Sequence, residues 1–507
     1  MKYIFYLSLV VLLFTCIEKK QYISYSEFGA AGDGITDDFD AIIKAHDAAN
    51  KTGIPVKANS GATYYIGGAD KTAQIQTDTD WGDAKFIIDD KHVENSRRNI
   101  FSVETKLPVS EIKTVKTLKK NQIKLDLSLE YASVMIATDT FTMRYIREGL
   151  NQNKGTPQID VFVVDKNGNV DLKAPIIWDY NNISRLTAYP IDDEQLTIKG
   201  GYFTTIANQG KPGATYYARG IGIRRSKVVI DKVYHIITNE LDQGSPYEGF
   251  INIARCTEVT VQNCKLSGHK VYWAIGSANV PVKQGTYDTN VSSSTNVTYK
   301  NCKQVNDIHD KNLWGIFTSN YSKNLTLNNV EFSRFDAHMG VSNATIKNSI
   351  IGHQGINIIG SGIFLMENSK VFGWNFMNLR EDYGSTFEGE IIIRNCEYNP
   401  LNGEKSDVFL ITGSYSGMHD FGYKCFLPRK ITIDGLIIND NNTIERYQGP
   451  KIFACFNPLY NNDSFVEKYP YTITEEVIIS NLTIKSGKPL IVSNNPFMFR
   501  NVQITKL

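Results

Sequence analysis

The chain has 507 residues, with 54 basic and 53 acidic side chains and a formal net charge of +1. That balance gives no global attraction to nucleic acid or to an anionic membrane. Tyr and Phe are abundant, at 27 and 25, and with the many Asn, Ile and Thr they favour strands and turns.

Residues 1–15 read as an export signal. Lys2 precedes an apolar run over 3–14 that is too short to span a bilayer. LFTC at 13–16 resembles a bacterial lipobox, in which Cys16 would become the acylated first residue. Thr15 stands where Gly, Ala or Ser is usual, so a plain secretory peptide is the alternative. The expected location is a cell-envelope lipoprotein of the outer membrane or periplasm, or otherwise a periplasmic or secreted protein. The remaining cysteines, 256, 264, 302, 396, 425 and 455, show no metal-ligand spacing.

Residues 22–507 are expected to form one domain. Near its start, FGAAGDGITDDFDAIIKA at 28–45 predicts a helix running to about Lys51. Thr36 is the expected N-cap, with Asp37 and Asp38 in the first turn. Phe39, Ile42, Ile43 and Ala49 give the helix an apolar face able to cover an open sheet end. Between about 84 and 193 comes a strand-rich stretch with runs at 122–129, 133–137 and 159–164. It also carries a basic patch over 113–124, and it reads as an insertion or as elaborated early coils.

From about 196 onward a six-residue phrase recurs: apolar, any, apolar, polar, Asn, then small or apolar. Copies are VTVQNC (259–264), VTYKNC (297–302), LTLNNV (325–330), ATIKNS (344–349), FLMENS (364–369), IIIRNC (391–396), VIISNL (477–482) and FMFRNV (497–502). Degenerate copies occupy 196–201, 228–233 and 431–436. Alternating apolar residues make a strand with one inward face, and Asn tolerates the left-handed backbone of a tight corner. Repetition at this spacing means a solenoid of stacked coils. The expected fold is therefore all-β, a right-handed parallel β-helix with an N-terminal amphipathic capping helix. Cys264, Cys302 and Cys396 share one rung position and should form a buried ladder of thiols.

The segment 28–45, with GIPV (53–56) and YYI (64–66), resembles the N-terminal segment of the pectate-lyase superfamily of right-handed β-helices. Members include polysaccharide lyases, glycoside hydrolases and phage tailspikes. The resemblance is specific for fold and weak for activity.

On a solenoid, residues at equal offsets from the repeated Asn stack on consecutive coils. Arg334 and His353 lie five places past their Asn, Asp336 and Asn375 seven, and His338 and Asn357 nine. These offsets share one strand face, and Arg380, Asp382 and Tyr383 fall at a nearby strand end. A second cluster is Tyr247 and Glu248 with His269 and Trp273 one coil on, and a third is His309 and Asp310 with Trp314. A solvated polar ladder is the bland reading of the first cluster, and the second and third would flank it as subsites.

β-Elimination beside a uronic acid needs a cation on the carboxylate, a base for the C5 proton and an acid for the C4 oxygen. Arg334 or Arg380 would supply the first, His338 or His353 the second, and Tyr383 or the second His the third. Asp336 would fix a His tautomer. Asn357, Asn375, Asp382, Tyr247, Glu248, His269 and Trp273 would contact the glycan. Hydrolysis needs two carboxyls, for which Asp336 and Asp382 serve, with Glu388 or Glu248 as others. A non-catalytic glycan-binding solenoid is the third class. A His-Asp-His metal site is conceivable, but no compact Asp cluster indicates calcium, so no cofactor is expected.

The stretch from 329 through 386, with GMHDFGYKC at 417–425, resembles exported β-helix proteins of polysaccharide-utilisation loci. That resemblance implies an acidic glycan substrate, ulvan fragments among the options, and either a lyase or a dehydratase acting on a terminal uronate. The expected partner is an acidic oligo- or polysaccharide, with no nucleic acid, membrane contact only through Cys16, and a monomeric state.

Overall fold

The computed structural model describes residues 21–211, 215–242, 244–401, 406–442 and 444–507. The export signal and Cys16 lie outside them.

The repeated phrase builds the solenoid. Strand Leu196–Ile206 pairs in parallel with Val228–Asp231, which pairs with Thr257–Gln262, then Thr295–Lys300 and Phe317–Asn328. The ladder continues through Phe335–Lys347, Ile356–Glu367, Phe387–Pro400, Lys430–Ile438 and Glu476–Ile484 to Gln503–Lys506. The fold is a right-handed parallel β-helix.

Each phrase ends at a corner. Asn263, Asn301, Asn329, Asn348, Asn368, Asn395 and Asn481 have φ of 48–55°, a left-handed conformation that costs most L-residues about 1–2 kcal/mol. The corner amides also bond between coils, Asn301 Nδ2 to Asn263 Oδ1 at 3.1 Å and Asn329 Nδ2 to Asn301 Oδ1 at 2.8 Å. Cys264, Cys302 and Cys396 are buried free thiols. The last copy departs from expectation: 497–501 is a turn, and strand Gln503–Lys506 takes the rung.

The first helix, Phe39–Thr52, buries Phe39, Ile42, Ala45 and Ala49 against the solenoid end. Its N-cap is Asp38 rather than Thr36, which lies in strand Asp33–Asp37. The Asp38 carboxylate instead ties down the preceding loop, accepting from the backbone N–H of Ala31 and Gly32 at 2.6 and 3.1 Å.

The inserted region starts later than expected. Strands Thr79–Asp89 and Phe101–Val103 are solenoid rungs, paired with Leu196–Ile206 and Ile221–Ile223. Beyond them, strands Ser110–Glu111, Arg185–Pro190, Ser133–Arg144 and Thr156–Val164 form an antiparallel sheet in that order. This sheet has its own core around Leu118, Met135, Phe162 and Tyr180. Residues 122–129 form no strand there. A buried ion pair, Lys323 Nζ to Asp160 Oδ1 at 2.7 Å, fastens the insertion to the solenoid.

Candidate functional site

In strand Phe335–Lys347, Phe335 and Ala337 point into the core, which turns Asp336 and His338 outward with Arg334 just before them. This shared face was legible from the alternation. The stacking across coils was not. Asp336 pairs with Asn357, and Asn357 with Asn378; the coil after Asn348 spends extra residues at a Gly352–Gly355 corner before its strand begins. The coil after Asn368 is longer again, so Asn378 takes the position in line with Asp336 and Asn357, and Asn375 pairs onward with Phe409. His353 is carried into that corner, where Nδ1 and Nε2 face the carbonyls of Ile308 and Leu313 at 2.9 and 3.2 Å. It is a wall residue, and no His-Asp-His set forms. Among the described residues no three metal-ligating side chains converge.

After strand Asn375–Leu379 the chain makes a 3-10 turn, Glu381–Tyr383, closed by left-handed Gly384. The turn brings Arg380, Asp382 and Tyr383 over the Asp336 face. Arg380 Nη1 donates to both Asp336 oxygens at 2.8 and 2.9 Å, while its Nε and Nη2 donate to Asp382 at 3.2 and 3.1 Å. Arg334 donates to Asp336 Oδ2 from Nε and Nη2, at 3.1 and 2.8 Å, and stacks on Trp314 with its guanidinium 4.4 Å from the ring centre. The Tyr287 hydroxyl adds a bond to Asp336 at 3.2 Å. Burial alone would raise the Asp336 carboxyl, but the two guanidinium groups hold it well below the usual range. Asp382 is likewise lowered, with Arg380 and Arg147 overcoming its burial.

His338 sits beside this cluster. Nδ1 faces Asn320 Oδ1 at 3.2 Å, and the Tyr383 hydroxyl lies 3.3 Å from Nε2. Because Asn320 Oδ1 accepts, Nδ1 carries the proton and Nε2 presents its lone pair. Burial, with the Arg380 charge behind it, pushes the imidazole down to about 3. Burial raises Tyr383, which keeps its proton.

Of this cluster His338, Arg380, Asp382 and Tyr287 line one end of a cleft of about 730 Å3, with Tyr383 buried just behind them, and that volume is within the usual range of ligand sites. One wall is the hairpin of strands Tyr272–Ile275 and Pro281–Gln284. Another is Arg147 with Asn151, Gln152 and Asn153 of the insertion. Arg147 reaches in to bond Asp382 and lies over the Tyr383 ring at 4.7 Å. The insertion segment is pinned over the end of the cleft: Ile146 N donates to Phe421 O at 3.1 Å, Arg144 bonds Gly422 O, and His419 Nδ1 pairs with Glu148 at 2.6 Å. Among the described residues four cations line the cleft, Arg97, Arg147, Lys283 and Arg380, against two carboxylates, Glu248 and Asp382. Glu248 pairs with Arg97 at 2.8 Å.

Several expected residues lie elsewhere. Tyr247 and His269 are 5% and 1% exposed and belong to a buried network. His269 Nδ1 and Nε2 bond Glu240 and Asp288, each at 3.1 Å, and His235 Nδ1 bonds Asp288 at 2.7 Å. The Tyr247 hydroxyl donates to Asp90 at 3.1 Å. Trp273, 52% exposed, is outside the cleft lining. Asn357 belongs to an amide ladder beyond the cleft, accepting from Asn378 Nδ2 at 3.1 Å. Arg334 is sealed behind Asp336. His309 packs on Phe372. Glu388 pairs with Lys120 of the basic patch at 2.8 Å, away from the cleft. The residues that sequence reasoning missed, Arg97, Arg147, Tyr216, Lys283, Tyr287 and Asn320, come mainly from loops without a rung register. Only Asn320 carried a usable signal, since it lies on a strand whose register is fixed by the repeat.

No protein-family model matches this chain, and no curated protein matches it. Solved structures share its architecture. The tailspike gp61 of Pseudomonas phage phi297 aligns with a TM-score of 0.56 at 12% identity, over 94% of this chain and 83% of that one. The tailspike gp49 of Pseudomonas phage LKA1 aligns with a TM-score of 0.50 at 14% identity, over 95% and 84%. At such identities the likeness defines the class, a parallel β-helix, and leaves the chemistry to the site.

Proposed function

We propose that the protein is a carbohydrate-active enzyme that acts by β-elimination on a uronic acid at the end of an acidic oligosaccharide. The observation that carries this reading is a neutral imidazole, His338, held beside an anchored guanidinium, Arg380, at the walled end of a cation-lined cleft.

Arg380 and Arg147 would neutralise the uronate carboxylate, making the C5 proton removable. His338 Nε2 takes that proton. The C5–H electrons form the C4=C5 bond as the C4–O bond breaks, and the Tyr383 hydroxyl, released from Nε2, protonates the departing oxygen. The bound carboxylate also offsets the Arg380 charge that depresses His338, so the base strengthens when substrate is present.

A wall at the reacting end favours a terminal residue over the middle of a polymer, and so favours loss of water from C4 over chain scission. Hydrolysis through Asp336 and Asp382 is disfavoured, because it needs a carboxyl that keeps its proton and both are held low. The signal-like segment at 1–15, followed by Cys16, supports a cell-envelope location; release from the membrane fraction by Cys16→Ala would test the anchor.

The deciding experiment is incubation with uronate-ended oligosaccharides and the matching polymers, followed by mass spectrometry. Dehydration gives a product lighter by one water with ultraviolet absorbance from the conjugated double bond. Scission leaving an unsaturated end would make it a lyase, and scission with water added would overturn elimination.

A further inference from the structure

A second cavity, of about 280 Å3, lies where the insertion rests on the solenoid. Its floor is made of small residues on adjacent coils. Val341 and Ser342 pair with Gly360 and Ser361, and Ser361 Oγ donates to Ser342 Oγ at 3.3 Å. Larger outward side chains there would fill the trough. The walls are aromatic, supplied by Tyr145, Trp178, Tyr321 and Tyr423. Met339 lines both this cavity and the cleft. Tyr145 stands between them, packed edge-on against Tyr321, Tyr383 and Tyr423 at 5.7, 5.6 and 5.3 Å.

Three of the cations lining this cavity are already bonded to protein groups. Lys323 is bonded to Asp160 at 2.7 Å, and Lys120 at the rim to Glu388 at 2.8 Å. Arg144 donates to Gln158 Oε1 from Nε at 2.9 Å and lies over Trp178 at 4.6 Å. At Lys323 and Lys120 an anion would have to displace a carboxylate already in place, and Arg144 is held by Gln158 Oε1 and Gly422 O. A neutral polyol needs no such exchange: its C–H faces pack on aromatic rings while its hydroxyls bond serine and rim groups. The volume is at the small end of ligand pockets, which run from about 300 Å3 upward, and suits one ring rather than a chain.

We infer that this cavity is a binding pocket for a single neutral sugar unit, separate from the cleft. The choice of ligand class rests on the carbohydrate reading of the cleft, but the pocket can be tested without turnover. D-glucose, D-xylose and L-rhamnose would each be titrated into the full-length protein and followed by saturation-transfer NMR and tryptophan fluorescence. At least one should bind saturably with a dissociation constant on the order of 1 mM. Ser361→Phe, which fills the trough, and Trp178→Ala, which removes a wall, should each weaken that binding at least about tenfold. Both variants should still turn over a uronate oligosaccharide like wild type. Ser361→Phe carries the test alone if Trp178→Ala does not fold. No saturable binding of any of the three sugars, or binding unchanged in Ser361→Phe, overturns the pocket. Binding lost in Trp314→Ala but kept in Ser361→Phe moves the sugar into the cleft and overturns it equally. Failure of the elimination reading would show separately, as absence of unsaturated product with sugar binding intact.

Discussion

His338 and His269 both lie in carboxylate-bearing networks on the flank of the same solenoid, and their surroundings push them in opposite directions. At His338, Asp336 is covered by Arg334 and Arg380, so little negative field remains, and burial plus the Arg380 charge drive the imidazole down to about 3. At His269 burial acts the same way, but among the described residues no arginine bonds Glu240 or Asp288, and their charge raises the imidazole to about 10. Asp288 answers by falling to about 2, with His235 and His269 overcoming its burial. The count of guanidinium groups around the carboxylate decides whether a buried histidine offers a lone pair or holds a proton. The first arrangement suits chemistry. The second is a clamp, since it sits at the root of the hairpin that walls the cleft.

The largest expected effect tests the first half of that contrast. His338→Ala should lower turnover on a uronate oligosaccharide by at least about 100-fold, unrepaired by more substrate, the lower end for a positioned acid or base. Arg380→Ala should lose as much. Steady-state kinetics on variants with wild-type circular dichroism checks both. Full activity in both would move the site away from this cluster. By contrast His269→Gln should retain kcat wherever the protein stays folded.

The second half is a stability statement. Asp288→Asn leaves two histidines without their shared carboxylate, and breaking a buried pair from one side costs about 3–5 kcal/mol. Denaturant unfolding measures it; a loss below about 1 kcal/mol would mean the network is not a clamp. The pH dependence has a definite sign. A raised histidine contributes stability that is fully present below its unfolded value near 6.5 and is lost as pH rises toward about 10. The lowered Asp288 contributes stability present above its unfolded value near 3.8 and lost as pH falls through about 2. Melting temperature should therefore fall at both extremes, and Asp288→Asn should flatten both limbs.

Much of the fold was legible because one physical signal repeats. Apolar alternation fixes which side chains point inward, and Asn marks the left-handed corners, so the rungs and the thiol positions follow from spacing alone. The same alternation put Arg334, Asp336 and His338 on one face. It failed wherever a coil changed length, between Asn348 and Asn357, which displaced His353, and between Asn368 and Asn378, which displaced Asn375. It also said nothing of loops. Arg147 and Lys283 reach the cleft from an insertion and a hairpin whose docking depends on contacts such as Ile146 with Phe421, for which no periodicity exists. The buried roles of Tyr247 and His269 were hidden for a related reason: their partners Asp90, Glu240 and Asp288 are distant in sequence or on another coil.

The smallest expected effect is a near-absence of change, and it separates the two histidine types most cleanly. The pH profile of kcat/KM reports groups of the free enzyme. An ordinary histidine base, titrating near 6.5, would be about tenfold more available at pH 7.5 than at pH 5.5. His338, held down to about 3, is already neutral at both values, so kcat/KM should change less than about twofold across that interval. The acid limb should appear only below about pH 5, and there the substrate's own carboxylate and the fold both begin to titrate, so the interval from 5.5 to 7.5 is the informative one. Tyr383 and Arg380 are both raised and hold their protons throughout it. Arg380→Lys, if it retains measurable activity, sharpens the test. A compact ammonium keeps the charge but loses the planar fork that bonds Asp336 and Asp382 together, freeing carboxylate charge to act on His338 and moving the inflection upward. A wild-type inflection near 6.5 would mean that His338 is solvated in the working enzyme, or that another histidine is the base.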